Sequence, residues 1–239
     1  MIPHLRCVRD SNLKPLTGEN PMNSIEDRDI RQRDILPPEK LNACRVTVVG
    51  VGAIGRQVAL QLAAIGAPHM QLVDPDTVEA ANLAPQGYLE ADLGRAKVQA
   101  TADLCRQMHS GIAIEQYPER FRRSLEVGDV VFCCVDSIAT RKLIWEAVRD
   151  RTRLFVDGRM SAEVIRVLAA GDHTGRKHYP TTLFAQAEAF QGACTAKSTI
   201  FTANIAAAMM VGQFARWLRG LPVDADLMLN LLSSELVAA

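Results

Sequence analysis

Arg45-Val-Thr-Val-Val-Gly-Val-Gly-Ala-Ile-Gly55 decides the fold. Its first half is a short β-branched run, the pattern of a strand buried in a parallel sheet. Its second half sets Gly50, Gly52 and Gly55 in the spacing G-x-G-x-x-G. The first glycine permits a tight turn, the second lets backbone approach a phosphate, and the third lets helix pack on strand. From Arg56 to Ile65, the side chains of Val58, Leu62 and Ile65 share one helical face, and Gly66 stops the helix. The segment from His69 to Asp74 then reads as a second strand, completing a β-α-β unit. The start of its helix offers free N–H groups and positive dipole to a phosphate.

Outward from this unit the alternation continues. Gly94 to His109 reads as a helix, Ile112 to Tyr117 as a strand, Asp129 to Val135 as a central strand, and Ile138 to Asp150 as a helix. Leu154 to Asp157 is another strand, and Val164 to Ala170 one that turns back antiparallel. Residues 171–199 are polar and without period, which reads as a long crossover loop. Ile200 to Leu218 forms a long apolar helix stopped by Gly220, and Leu227 to Val237 adds one or two terminal strands. Upstream, residues 1–24 read as a flexible leader, and Ile25 to Cys44 as one or two short helices broken at Pro37 and Pro38. The expected fold is therefore α/β: one domain over residues 25–239, with a Rossmann-like, doubly wound, mainly parallel sheet and an antiparallel extension.

Composition narrows the function classes. Lys plus Arg and Asp plus Glu number 27 each, so nothing demands nucleic acid or an anionic membrane as partner. No uncharged apolar run reaches the length of a membrane span, and the first residues show no secretory h-region. The cysteines, Cys7, Cys44, Cys105, Cys133, Cys134 and Cys194, form no C-x-x-C pair, so zinc is not expected and a cytoplasmic setting is.

Asp74 ends the second strand 19 residues beyond Gly55, where a carboxylate can accept both ribose hydroxyls. That much describes an NAD(P)-binding oxidoreductase equally well. Five further pieces distinguish the chain. They are Arg28-Asp-Ile-Arg-Gln32, Asp74-Pro-Asp76, Asn82-Leu-Ala-Pro-Gln86, Gly94-Arg-Ala-Lys97, and Asp136 with Arg141 after the fourth strand. In that order they resemble R-Y-x-R-Q, D-x-D, N-L-x-R-Q, G-x-x-K and D-(x4)-R of the ThiF/MoeB and ubiquitin-activating-enzyme superfamily.

The resemblance covers about Arg28 to Leu218 and implies ATP- and Mg2+-dependent adenylation. The substrate it implies is the C-terminal carboxylate of a small ubiquitin-like or sulfur-carrier protein. By resemblance, Lys97 contacts the α-phosphate, Asp136 holds Mg2+, Asp74 grips the ribose, Asp76 belongs to the nucleotide site, and Asn82 and Gln86 line the phosphate site. Arg31 would reach the β/γ-phosphates of a neighbouring subunit, which implies a homodimer. Cys194, before the long helix, stands where ThiF-like proteins can carry a cysteine that accepts the activated carboxyl carbon.

The plainer readings are a solvated first-turn Lys97, an Asp136 that merely caps the following helix, and an exposed-helix Arg31. Cys194 would in that case be a small buried hydrophobe. Cys133 and Cys134 read as packing residues. Pro85 stands where the family has Arg, and Arg56, Arg33 or Arg95 could compensate. Enzymes of the same superfamily acting on a short peptide or on tRNA, and a catalytically dead nucleotide-binding scaffold, are the remaining alternatives; neutral charge weakens the tRNA version.

Overall fold

The computed structural model describes residues 28–184 and 198–238. The leader at residues 1–24 and Cys194 lie outside them. The elements run α1 (Pro38–Asn42), β1 (Arg45–Val49), α2 (Ala53–Ala64), β2 (His69–Val73), α3 (Ala80–Gln86), α4 (Lys97–Met108), β3 (Ala113–Tyr117), β4 (Val130–Cys133) and α5 (Ile138–Val148). Then follow β5 (Leu154–Ser161), β6 (Val164–Ala170), α6 (His173–His178), α7 (Ile200–Leu218), β7 (Asp226–Asn230) and β8 (Glu235–Ala238).

All eight strands join one sheet in the order β3-β2-β1-β4-β5-β6-β7-β8. The first five are mutually parallel. β6, β7 and β8 add on antiparallel, the extension expected from Val164 onward. Val46 and Val48 of β1 face α2, α4 and α7 in one core, while Val49 faces α5 across the sheet in another. The alternation of pleat direction thus explains why β1 is apolar throughout. α7 buries Ala203, Ala206, Ala207, Met210, Phe214 and Leu218, a stripe at helical spacing whose small members let the helix lie close to the sheet.

One polar row crosses the α5 face. Thr47, Gln71 and Glu115 are directly in register on β1, β2 and β3. Thr47 Oγ1 donates to Gln71 Oε1 at 2.6 Å and accepts the Gly128 N–H at 2.8 Å. Gln71 Nε2 donates to the Glu126 carbonyl at 3.1 Å.

Three elements depart from expectation. α3 had no helical signature, because it is only seven residues long with Pro85 in its last turn. α4 begins at Lys97 rather than Gly94, since Gly94 holds a turn at φ +79. Within 171–199, α6 and a 3-10 turn over Tyr179–Thr182 replace the first part of the expected loop. Asp172 starts α6 by accepting the Gly175 N–H at 2.8 Å; six residues are too few to show a period.

Candidate nucleotide-binding site

The glycine turn lies between the ends of β1 and β4, where the strand order reverses and a crevice opens at the carboxyl edge of the sheet. Gly50 has φ +85, and a Cβ there would stand 2.9 Å from the Cys134 carbonyl oxygen. A Cβ on Gly55 would fall 1.7 Å from the Gly50 carbonyl oxygen. These two positions let α2 start directly over the strand ends. Gly52 is the N-cap of α2, and no side chain caps the helix, so its first N–H groups are open to an anion.

Around this turn the sequence-derived residues converge. Asp74 is buried, and its two oxygens accept the Val51 N–H at 2.7 Å and the Asp76 N–H at 2.9 Å. Burial pushes its carboxyl above the usual carboxylate range, against the pull of those N–H groups and Lys97. Asp74 therefore braces the turn from below. Asp76 is the exposed carboxylate of the pair, with a side chain 61% accessible. Lys97, whose side chain is only 7% exposed, is no solvated lysine: its Nζ sits 3.0 Å from Asp76 Oδ2.

α3 lies over the turn. Gln86 Oε1 is 3.8 Å from where a Gly52 Cβ would be, is buried, and has no partner among the described residues. Asn82 stands one turn earlier, its Oδ1 accepting the Glu79 N–H at 3.0 Å. Asp136 is exposed on a bend just past β4. It does not cap α5; Ser137 does, accepting the Thr140 N–H at 3.3 Å. Cys133 is fully buried at the end of β4, where desolvation raises its thiol pKa; it packs, as expected, and is no thiolate.

Arg31 is elsewhere. Arg28 Nη2 donates to the Ala63 and Ala64 carbonyls at 2.7 Å each, and Gln32 Nε2 to Ile65 O at 3.1 Å. The segment thus caps the carboxyl end of α2 and leaves Arg31 exposed there. The 12 residues of α2 separate that end from the glycine turn, a length of about 18 Å.

Several site residues gave no signal in the sequence. Tyr88 OH donates to the Val51 carbonyl at 2.7 Å, holding the turn from beneath α4. Asp157, fully buried on β5, pairs with Arg141 and, at 2.8 Å, with Arg159, and accepts the Tyr179 hydroxyl at 3.0 Å. Arg141 also donates to the Val135 carbonyl beside Asp136. Arg159 reaches the Thr182 carbonyl at 2.9 Å, where the described crossover ends. Of the cations near Pro85, Arg95 is held by Asp92 and Asp103, Arg33 is exposed, and Arg56 is buried against Gly87.

Known proteins share this architecture. The chain is 38% identical over 111 residues to the adenylyltransferase and sulfurtransferase MOCS3-1 of Zea mays, 44% of this chain and 24% of that one. It is 38% identical over 128 residues to MOCS3 of Mus musculus, 48% of this chain and 28% of that one. The chain thus matches only about a quarter of the length of these relatives. The crystal structure of PaaA superposes with a TM-score of 0.74 at 19% identity, over 95% of this chain and 77% of that one. E. coli MccB does so with a TM-score of 0.74 at 16% identity, over 92% and 70%. MccB with AMPCPP and MccA gives 0.68 at 16% identity, over 84% and 64%. Residues 27–233 match the ThiF family, and over that span, most of its length, the chain belongs to it.

Proposed function

We propose that the chain adenylates a C-terminal carboxylate with ATP. The observation that carries this reading is the pairing of buried Lys97 with exposed Asp76, at 3.0 Å, beside an uncapped helix start. Hydride transfer has no use for a lysine there, whereas attack on a phosphate needs a cation already in place. A substrate carboxylate oxygen attacks the α-phosphorus, the bond to the bridging β-phosphate oxygen breaks, and pyrophosphate leaves. Lys97 exchanges Asp76 for the α-phosphate, and the freed Asp76 faces the ribose alongside Asp74. The N–H groups of Ala53 to Gly55, at the uncapped start of α2, go to the phosphates. Turning the Gln86 amide would bring a donor over Gly52, relieving the orphaned oxygen.

An exposed carboxylate with no partner among the described residues suits a hard divalent ion shared with phosphate oxygens, so Asp136 would hold Mg2+. Bound there, the ion would neutralise charge on the leaving pyrophosphate. Because Arg31 stands a helix length from its own turn, its role is in a partner's site, and the active unit is a homodimer. The substrate is a small ubiquitin-like or sulfur-carrier protein, in keeping with the names of the sequence relatives. A short peptide is the second reading, favoured by the MccB likeness with its bound MccA. Cys194 takes the acyl group after adenylation, in a reducing cytoplasm.

Carrier-dependent ATP–pyrophosphate exchange tests the proposal. Asp136→Ala and Lys97→Ala abolish exchange, and Cys194→Ala leaves it intact while removing any reducible acyl adduct. Exchange that survives both of the first two substitutions would overturn the adenylation reading.

A further inference from the structure

Arg56 is the largest fully buried side chain of the molecule's described part, with no measurable exposure. It follows Gly55 directly, in the first turn of α2. Its Nε and Nη2 donate to the Gly87 carbonyl at 3.2 and 3.0 Å, and its Nη1 to Thr101 Oγ1 at 3.3 Å. Its guanidinium carbon lies 4.0 Å above the Tyr88 ring centroid. All of these partners are neutral. Among the described residues no carboxylate lies within ion-pair distance of it, unlike Arg141 and Arg159, which share Asp157. Buried cations are otherwise paired, because desolvation is costly. That cost shows in its pKa, which burial lowers from the ordinary arginine value.

The neighbours explain the position. Gly87 closes α3, so the carbonyls of Gln86 and Gly87 form the negative end of that helix, which rests against Arg56 and Gln57 near the start of α2. Arg56 covers the Gly87 carbonyl, and Gln57 Nε2 covers that of Gln86 at 3.0 Å. Without them, that negative end would stand uncompensated beside the uncapped start of α2, where the nucleotide reading puts the phosphates. Tyr88, beneath the guanidinium, carries the hydroxyl that holds Val51 in the turn.

We infer that Arg56 is a positioning residue for the nucleotide's phosphates, a buried cation whose missing counter-charge arrives with a polyphosphate ligand. It shields the phosphates from the end of α3, keeps Gln86 over Gly52, and supplies positive potential that position 85 does not. The inference rests on the nucleotide reading above and adds which residue gives the site its preference for triphosphate over monophosphate.

The test compares dissociation constants for ATP, ADP and AMP by titration calorimetry in wild type, Arg56→Gln and Arg56→Lys. Glutamine removes the charge together with the reach to Thr101, whereas lysine keeps the charge and loses the fork of donors, so the two variants separate charge from hydrogen bonding. Arg56→Gln is expected to weaken ATP about tenfold and AMP less than twofold, with Arg56→Lys recovering most of the ATP affinity. Equal weakening of ATP and AMP, or none, overturns the inference and leaves Arg56 a fastener of α3. Should Arg56→Gln fail to fold, thermal shifts of the wild type decide: tripolyphosphate alone must stabilise it more than adenosine alone, and the reverse overturns the inference. A wild type that binds no ATP sinks the nucleotide reading itself, whereas ATP bound equally by wild type and Arg56→Gln sinks only the part given to Arg56.

Discussion

Asp157→Asn probes the connection between the two halves of the site. Asp157 has no exposure, and the side chains of its partners Arg141 and Arg159 are 6% and 13% exposed. Asparagine has the same shape but leaves both guanidinium groups without a counter-charge in a poorly solvated space. Breaking a buried pair in this way costs about 3–5 kcal/mol. For a domain of this size each kcal/mol lowers the melting temperature by roughly 2–4 °C, so a drop of about 10 °C is expected. Calorimetry gives that shift, and a urea titration with unchanged slope shows that stability alone has moved. Below the new transition, exchange should also slow at saturating ATP, because Arg141 holds the Val135 carbonyl next to Asp136. A loss under about 1 kcal/mol, the range of an exposed pair, would refute the claim that this carboxylate is the hub.

Tyr88→Phe strips the Val51 carbonyl of its hydroxyl donor and should cost about 1–3 kcal/mol in urea unfolding, with weaker ATP binding. Burial alone would raise the Asp226 pKa, but hydrogen bonds from Arg166 and His178 hold it below the usual carboxylate range. A carboxyl depressed in the folded state stabilises the protein above its unfolded pKa of about 4, and that contribution is lost as pH falls further. Asp226→Asn should therefore flatten the acid limb of melting temperature against pH while lowering the plateau. Arg31→Ala and Asp136→Ala should each be inactive in exchange; mixing them under subunit exchange should restore activity, and a mixture as dead as its components would show that Arg31 serves no partner site.

The parallel half of the fold was readable because its signals are local. Arg45–Val49 and Ile200–Leu218 begin and end where β-branched residues, Gly50 and Gly220 place them. Gly50, Gly52 and Gly55 were equally plain, since each spacing has one steric cause. α3 was not readable: seven residues with an internal proline carry no period, and the helix exists because its Gln86–Gly87 end is tied to Gln57 and Arg56 from another helix. Asp157, Tyr88 and Tyr179 were missed for the same reason, the Tyr88 and Tyr179 contacts reaching partners 37 and 22 residues away. Lys97 and Asp76 were marked by resemblance, but the direct contact between them belongs to the folded state.

The polar row through Thr47 and Gln71 bears on how the sheet assembles. Parallel neighbours have no hairpin between them to set their alignment, and an all-valine strand would slide against its neighbour at little cost. Here a slip of two residues would keep every side chain on its proper face yet leave the buried Gln71 amide oxygen without the Thr47 hydroxyl. The row works as a key: it admits one alignment of β1 and β2, and thereby fixes how far Gly50 and Asp74 project into the crevice above.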